Sequence, residues 1–338
     1  MSDRILEVND LRVSFNTYAG EVQAVRGVSF HVDRGEAIAI VGESGCGKSV
    51  TAKTITGLIK APAATIKEGS SILYKGRDIL GYTKKEWSGY KGSECAIVFQ
   101  DAMASLNPTM KVGKQIMENL MVHRDMNKAA AKEAAISLLE MVGIPEASRR
   151  FDQYPHEFSG GMRQRVMIAI AFACNPRLLI CDEPTTALDV TLQGQILDLL
   201  KELQKKNNTS IIMITHDLGV VANMAQRIIV MYSGVIVESG SVEDIFYNPK
   251  HPYTWSLIQA VPRLDLGNKQ KLYSIPGAPP DLLDPPKGCP FANRCSYCMK
   301  VCKTRMPVES DFGQGHKSAC WLNHPMAPKV QPPVGNRI

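Results

Sequence analysis

"EAIAIVGESGCGKSVTAKTITGLI", Glu36 to Ile59, decides how this chain is read. Ala37 to Val41 is a continuous apolar run closed by Gly42, the pattern of a strand buried on both faces. "KSVTAKTITGLI" reads as a helix. Between them, Gly42-Glu43-Ser44-Gly45-Cys46-Gly47-Lys48-Ser49 fits G-x-x-x-x-G-K-[ST]. The chemistry requires that spacing. Glycines let successive backbone N–H groups turn inward around phosphates, the lysine bridges the β- and γ-phosphates, and the serine hydroxyl binds Mg²⁺. This strand–loop–helix therefore predicts a nucleotide phosphate site running from Gly42 to Val50, with Lys48 and Ser49 as its main side chains.

Further along, "FSGGMRQR" (Phe158 to Arg165) offers a serine and two glycines at the start of an expected helix. A backbone cradles an anion in that way, yet the segment has no lysine. "RLLICDEP" is another buried strand, with Asp182 at its C-terminal end, where α/β sheets bind ligands. Asp182 is placed as the Mg²⁺-side carboxylate, and Glu183 as the group that polarises an attacking water. "TSIIMITHD" is a third buried strand and ends beside His216. Near the N-terminus, "ILEVNDLRVSF" and "AVRGVSFHVD" alternate apolar and polar residues across the turn-rich "NTYAGE", predicting an antiparallel pair. Between Gln100 and Cys181 the pattern turns helical; "NKAAAKEAAISLLEMVGIP" has Asn127 as cap and Gly143 with Pro145 as stop. The fold class expected is α/β: a P-loop nucleotide-binding core on a mostly parallel sheet, an antiparallel β subdomain, an inserted helical subdomain and a small Cys-rich C-terminal module.

The 338 residues are 44% hydrophobic and 21% charged, which is ordinary for a globular protein. No apolar run approaches the ~18 residues of a membrane span; "VMIAIAFAC" (Val166 to Cys174) reads as a buried helix. "MSDRILEVND" lacks the features of a secretory signal, so a cytosolic location is expected. The net charge of +6 is spread out. It suits an ordinary solvated surface, with nucleic acid or anionic lipid as the other readings. Past about Pro262 the composition shifts, dividing the chain into an expected nucleotide-binding domain, 1–262, and an extension, 263–338. "SIPGAPPDLLDPPKG" reads as a linker or irregular arm, and the tail "APKVQPPVGNRI" as disordered. Of nine cysteines, Cys289, Cys295, Cys298, Cys302 and Cys320 crowd into 32 residues. In a reducing compartment such clustering suggests metal ligands rather than disulfides.

Taken in order, these segments resemble the ATP-binding subunits of ABC transporters. "GESGCGKS" looks like Walker A, Gln100 in "IVFQD" like the Q-loop, and "FSGGMRQR" like the family signature. "LLICDE" resembles Walker B, "TALD" ending at Asp189 the D-loop, and His216 in "ITHD" the switch histidine. The resemblance implies that two ATPase domains dimerise head to tail, with Ser159, Gly160 and Gly161 gripping the γ-phosphate held by the other subunit. It makes Glu183 the general base or water-orienting group and His216 the γ-phosphate contact. Gln100 becomes a contact to Mg²⁺ and water, although alone it equally suits a strand cap. An aromatic near the end of the first strand would stack on adenine; Phe15 is preferred to Tyr18, and either also suits core packing. Met162 stands where the general signature has glutamine, which is similar to the oligopeptide and dipeptide importer branch.

"NPKHPYTWSLIQAVP" (Asn248 to Pro262) looks like the segment closing the ATPase domain in that branch. The spacing Cys289-x5-Cys295-x6-Cys302-x17-Cys320 resembles its C-terminal module, which carries a [4Fe–4S] cluster. Cys298 makes a C-x-x-C with Cys295, so a zinc site and unmetallated thiols stay open, and Cys298 is left out of the ligand set. The implied assembly is an importer at the cytoplasmic face of the cell membrane. It has two transmembrane permease subunits, a second and non-identical ATP-binding subunit, and an extracytoplasmic substrate-binding protein. ATPases of nickel or other small-solute importers of the same branch are the alternative. A permease-free ABC ATPase acting on nucleic acid is opposed by the lack of Lys/Arg clusters interleaved with aromatics.

Overall fold

A computed structural model describes residues 3–59, 61–186, 188–261 and 274–333. β1 (Arg4–Thr17) and β2 (Gly20–Asp33) are long neighbouring strands. They are joined by Tyr18 and Ala19 alone, a connection that only an antiparallel pair can use. The turn is tighter than the sequence suggested because Thr17 Oγ1 donates to the Gly20 carbonyl at 2.8 Å and closes it. β3 (Ala37–Val41), buried throughout, feeds the glycine loop and α1 (Lys48–Ile55). Then come β4 (Ala64–Ile66), β5 (Ser71–Tyr74), β6 (Arg77–Asp78), α2 (Lys84–Tyr90) and β7 (Cys95–Val98). Five helices follow: α3 (Ala102–Ser105), α4 (Val112–Arg124), α5 (Lys128–Met141), α6 (Ala147–Arg150) and α7 (Gly160–Phe172). β8 (Leu178–Asp182), α8 (Val190–Asn207), β9 (Ser210–Thr215), α9 (Leu218–Met224), β10 (Arg227–Tyr232) and β11 (Val235–Ser241) complete the alternation. The C-terminal part holds α10 (Val242–Tyr247), α11 (Pro252–Ala260), α12 (Lys300–Thr304), β12 (Ser310–Asp311) and β13 (Lys317–Ser318).

The chain forms two compact units. The first contains residues 1–5, 32–36 and 74–213. In it β7 and β8 pair in parallel, Cys95 opposite Leu178 through Val98 opposite Cys181. The inserted helices pack through apolar stripes: Ile116 and Leu120 of α4, Ala131, Ala135 and Leu139 of α5, and Val166, Ile168 and Phe172 of α7 are all buried. Each large apolar side chain so buried contributes about 1.5–3 kcal/mol. α5 starts where the sequence placed it, since Asn127 Oδ1 accepts the Ala130 N–H at 3.0 Å. It stops at Gly143, whose φ of +75° breaks the helix. The apolar run from Val166 forms most of α7 and is buried, as expected.

The second unit contains residues 6–31, 37–73 and 214–338. One sheet places β1 between β2 and β5, with β4 also on β1, so that Phe15 faces Ala64. The other runs β12-β13-β11-β10-β3, with β10 parallel to β3 and antiparallel to β11. Its core takes in Val230 and Tyr232 of β10, Tyr253, Trp255 and Ile258 of α11, and also Cys289, Phe291 and Cys302 from the C-terminal part. The rings of Tyr232, Tyr253 and Phe291 meet at centroid distances of 4.6 to 5.3 Å. Each such aromatic pair adds about 0.5–1.5 kcal/mol beyond its buried area. The proline-rich stretch 274–288 has no helix or strand but is tied down, with the Leu282 carbonyl accepting the Gln23 N–H at 2.9 Å. The expected boundary at Pro262 and the end of the tail, 334–338, lie outside the described residues. Among those described, no helix is long and apolar enough to cross a membrane.

Candidate nucleotide site

The glycine loop belongs to the second unit, and its backbone leaves no room for side chains at two positions. Gly42 has φ +152°, and a Cβ there would lie 2.2 Å from the Met231 carbonyl oxygen. Gly47 has φ +100°, and a Cβ would lie 2.5 Å from the Ala24 oxygen. Only glycine tolerates both conditions. α1 then begins with no side-chain cap, so its first N–H groups and the positive end of its dipole face the loop. Lys48 is buried at 5% exposure, its Nζ donating to the carbonyls of Gly42 at 2.7 Å and Glu43 at 2.9 Å. That holds an ammonium at the loop, poised for exchange to a phosphate. Cys46 Sγ lies 3.7 Å from the same Nζ, and burial pushes its thiol up, keeping it neutral. Ser44 and Gly45 are exposed; Ser49 and Val50 are half-buried on the first turn of α1.

His216, exposed, follows β9 directly. The next residue, Asp217, caps α9 by accepting the Gly219 N–H at 2.8 Å. Phe15 is half-buried on β1, whereas Tyr18 is fully exposed at the turn. Two supporting residues of this unit were not singled out from the sequence. Tyr253, on α11 and fully buried, accepts the Glu43 N–H through its hydroxyl at 2.8 Å. Arg294 forms a two-point pair with the Glu43 carboxylate. They lie 210 and 251 residues from Glu43, beyond the reach of any periodicity.

In the first unit, the structure joins two residues expected to act together. Gln100, exposed just beyond β7, donates from Nε2 to Glu183 Oε2 at 2.9 Å. Glu183 follows β8 with φ +50° and also accepts Thr186 Oγ1 at 3.0 Å. A non-glycine residue at positive φ is uncommon and turns the side chain away from the strand direction. Asp182, its neighbour, is buried at the end of β8. Ser159 is the N-cap of α7, accepting the Met162 N–H at 3.3 Å. Gly160 is exposed with open space where a Cβ would go, while Gly161 is buried and a Cβ there would lie 3.1 Å from the Leu192 side chain of α8. Asp189 caps α8 by accepting the Leu192 N–H at 2.9 Å. A cavity of about 550 Å³ is lined by Gln100, Asp101, Met103, Gly160, Arg163 and Thr186, among others.

The cysteines are packed as follows. Cys289, Cys302 and Cys320 are buried and Cys295 and Cys298 half-buried, and all but Cys320 lie in or against the apolar core of the second unit. Burial, reinforced by the neighbouring cysteines, pushes the Cys289 and Cys320 thiols up to about 12 and Cys295 to about 11. Among the described residues no three His, Cys, Asp or Glu side chains are arranged to hold a metal ion. The cluster ligand set Cys289, Cys295, Cys302 and Cys320 is thus not presented ready-made.

Comparisons with known proteins give the family. Residues 25–186 match the ABC transporter family, and residues 237–302 match the oligopeptide/dipeptide transporter C-terminal region. The chain is 58% identical over 330 residues to the oligopeptide transport ATP-binding protein OppD of Bacillus subtilis (strain 168), covering 98% of this chain and 92% of that protein. It is 53% identical to the dipeptide transport ATP-binding protein DppD of the same organism, covering 95% of each. Against OppD of Salmonella typhimurium it is 51% identical, covering 94% and 93%. Among solved structures, an ATP-binding cassette dimer in a post-hydrolysis state with ADP and Pi aligns at a TM-score of 0.63 and 26% identity, covering 70% of this chain and 98% of that one. A glycine loop that only glycine can form, an uncapped α1 and these full-length likenesses lead to one statement: the chain belongs to the ABC transporter ATP-binding proteins, with the ATPase cassette fold of that family.

Proposed function

We propose that this chain is the ATP-hydrolysing subunit of an importer for oligopeptides or dipeptides. The observation that carries the hydrolytic part is the glycine loop, with the Lys48 ammonium held at the uncapped start of α1. The cargo reading rests on relatives named for oligopeptide and dipeptide transport; they favour it over a nickel or other small-solute importer.

In this reading Lys48 transfers its hydrogen bonds from the loop carbonyls to the β- and γ-phosphates of ATP. Gly45 to Ser49 and Val50 supply the surrounding N–H groups, and Phe15 stacks on the adenine. Ser49, Asp182 and Gln100 would hold Mg²⁺, which when bound neutralises charge developing on the phosphates. Glu183 accepts a proton from, or orients, the attacking water; its hydrogen bond with Gln100 supports a shared role for the two. His216 contacts the γ-phosphate. Ser159, Gly160, Gly161 and Asp189 act on the nucleotide of a second ATP-binding subunit, non-identical to this one. ATP closes the pair and hydrolysis opens it. The chain works as a peripheral subunit at the cytoplasmic face of the cell membrane, with two transmembrane permeases and an extracytoplasmic substrate-binding protein. Residues 1–262 are the ATPase domain and 263–338 its extension. Nucleic acid has no part in it.

A [4Fe–4S] cluster, or zinc, on Cys289, Cys295, Cys302 and Cys320 is a separate proposal, supported by the thiols lying within reach of one another's charge. The hydrolytic step does not depend on them. Anaerobic purification and a visible spectrum test it, a colourless and metal-free protein overturning it.

Glu183→Gln tests the enzymatic assignment. Turnover is expected to fall at least about 100-fold with ATP binding retained, the usual scale for removing a general base. Undiminished ATPase activity in this variant removes Glu183 from the mechanism.

A further inference from the structure

We propose that Arg294 is a positioning residue for the nucleotide site, fixing and neutralising Glu43 so that the glycine loop can receive a triphosphate. The inference rests on reading that loop as the ATP site. Glu43 is the acidic residue of the loop, placed one position after Gly42. A bare carboxylate there has the wrong sign for a site that takes an anion. Arg294 cancels it with a fork: Nη1 to Oε2 at 2.5 Å and Nη2 to Oε1 at 2.9 Å.

The arginine is built in rather than laid on the surface. Its side chain is 5% exposed, and every guanidinium N–H has an acceptor. Nε donates to the Pro276 carbonyl at 2.9 Å, Nη1 also to Tyr232 Oη at 3.1 Å, and Nη2 also to the Ile275 carbonyl at 3.2 Å. The rings of Tyr232 and Phe291 flank it at 5.8 and 6.0 Å. A planar cation with all five donors used has one orientation, unlike an exposed pair whose two long side chains wander. Its backbone is equally fixed. Arg294 ends a 3₁₀ turn, Ala292–Arg294, with its N–H on the Phe291 carbonyl, and the Cys289 N–H donates to the Cys302 carbonyl at 2.7 Å. Meanwhile Tyr253 takes the Glu43 N–H. The loop's acidic residue is therefore held at backbone and side chain by groups more than 200 residues away, and the segment between Cys289 and Cys302 becomes part of the phosphate site's support.

Charge cancellation and plain anchoring make different predictions in a double-mutant cycle on the full chain, read as MgATP affinity by titration calorimetry. Arg294→Ala is expected to raise Kd about tenfold by exposing the Glu43 charge, and Glu43→Gln/Arg294→Ala to return it to within about threefold of the parent. The Arg294→Ala defect should shrink as salt rises from about 0.05 to 0.5 M, because screening acts on an uncancelled charge. A double variant as weak as Arg294→Ala, or an Arg294→Ala Kd equal to the parent's, overturns the proposal. Should Arg294→Ala fail to fold by circular dichroism, Glu43→Gln alone decides. Its Kd is expected at or below the parent's, and a tenfold rise overturns the proposal. Lys48→Ala separates the two levels. If it binds MgATP like the parent, the nucleotide reading falls and this inference with it. If it loses binding while Arg294→Ala does not, this inference alone falls.

Discussion

Two helices of this protein begin at glycine-rich phosphate motifs, and they begin differently. α1 starts after Gly47 with no side-chain cap, in a loop shaped so tightly that a methyl group at Gly42 or Gly47 would collide with backbone oxygen. α7 starts after Ser159, whose hydroxyl caps it at 3.3 Å, and the glycine that follows has open space around it. The first start has no side-chain cap; the second has one. A capping hydroxyl accepts the helix N–H with a lone pair and still has its own proton to donate. In the proposed function Ser159 would cap α7 and donate that proton to a phosphate. The contrast suits a permanent pocket on one side and a surface that docks and leaves on the other.

Substitutions at the two starts can break this contrast. Gly47→Ala should be the most damaging. It adds about 1–3 kcal/mol of backbone strain before the clash with Ala24 is counted, and nucleotide titration should show MgATP binding lost along with a lower melting temperature. Ser159→Asp comes next. Aspartate caps as well as serine, so the melting temperature should hold, while a carboxylate aimed at phosphate should cut ATPase turnover about 100-fold. If turnover survives, α7 is only a structural helix. Gly160→Ala should be milder: stability unchanged or higher by about 0.5–1 kcal/mol, with turnover reduced about tenfold by crowding of the docking face.

The smallest effect concerns the support of the first start. His251 caps α11 by accepting the Tyr253 N–H at Nδ1, and Tyr253 in turn holds Glu43. Burial lowers the His251 pKa from 6.5 to about 3, so the ring is neutral in the fold. The Glu238 carboxylate beside it takes the His251 N–H and His316 Nε2. Below 6.5 the unfolded chain binds the proton and the folded chain does not, so stability falls with pH. The loss from pH 7 to 6 is about 0.7 kcal/mol. Denaturant unfolding at the two values should show it, and His251→Gln should flatten the dependence.

The sequence made the nearby parts legible. β3, the glycine loop and α1 are contiguous, and their chemistry dictates residue types at fixed spacing. α5 announced itself by periodicity, the Asn127 cap and the Gly143 stop, all within one helix length. Gln100 and Glu183 were paired only through the family resemblance, since 83 residues separate them. Arg294 and Tyr253 escaped because long-range ion pairs and hydroxyl acceptors leave no periodic trace. The cysteines are the opposite case: their spacing is conspicuous, but spacing alone does not choose between a metal site and apolar packing, and Cys289 and Cys302 lie in the core while also lying near Cys295.

The bond from Tyr253 to Glu43 also has a consequence for biosynthesis. A ribosome finishes the glycine loop long before it makes the groups that brace it, 210 and 251 residues later. At 5–20 residues per second the delay to Arg294 is about 10–50 s. During that interval a nascent chain carries the complete phosphate motif without its braces, and on the role proposed for Arg294 translation would schedule when the loop can receive its nucleotide.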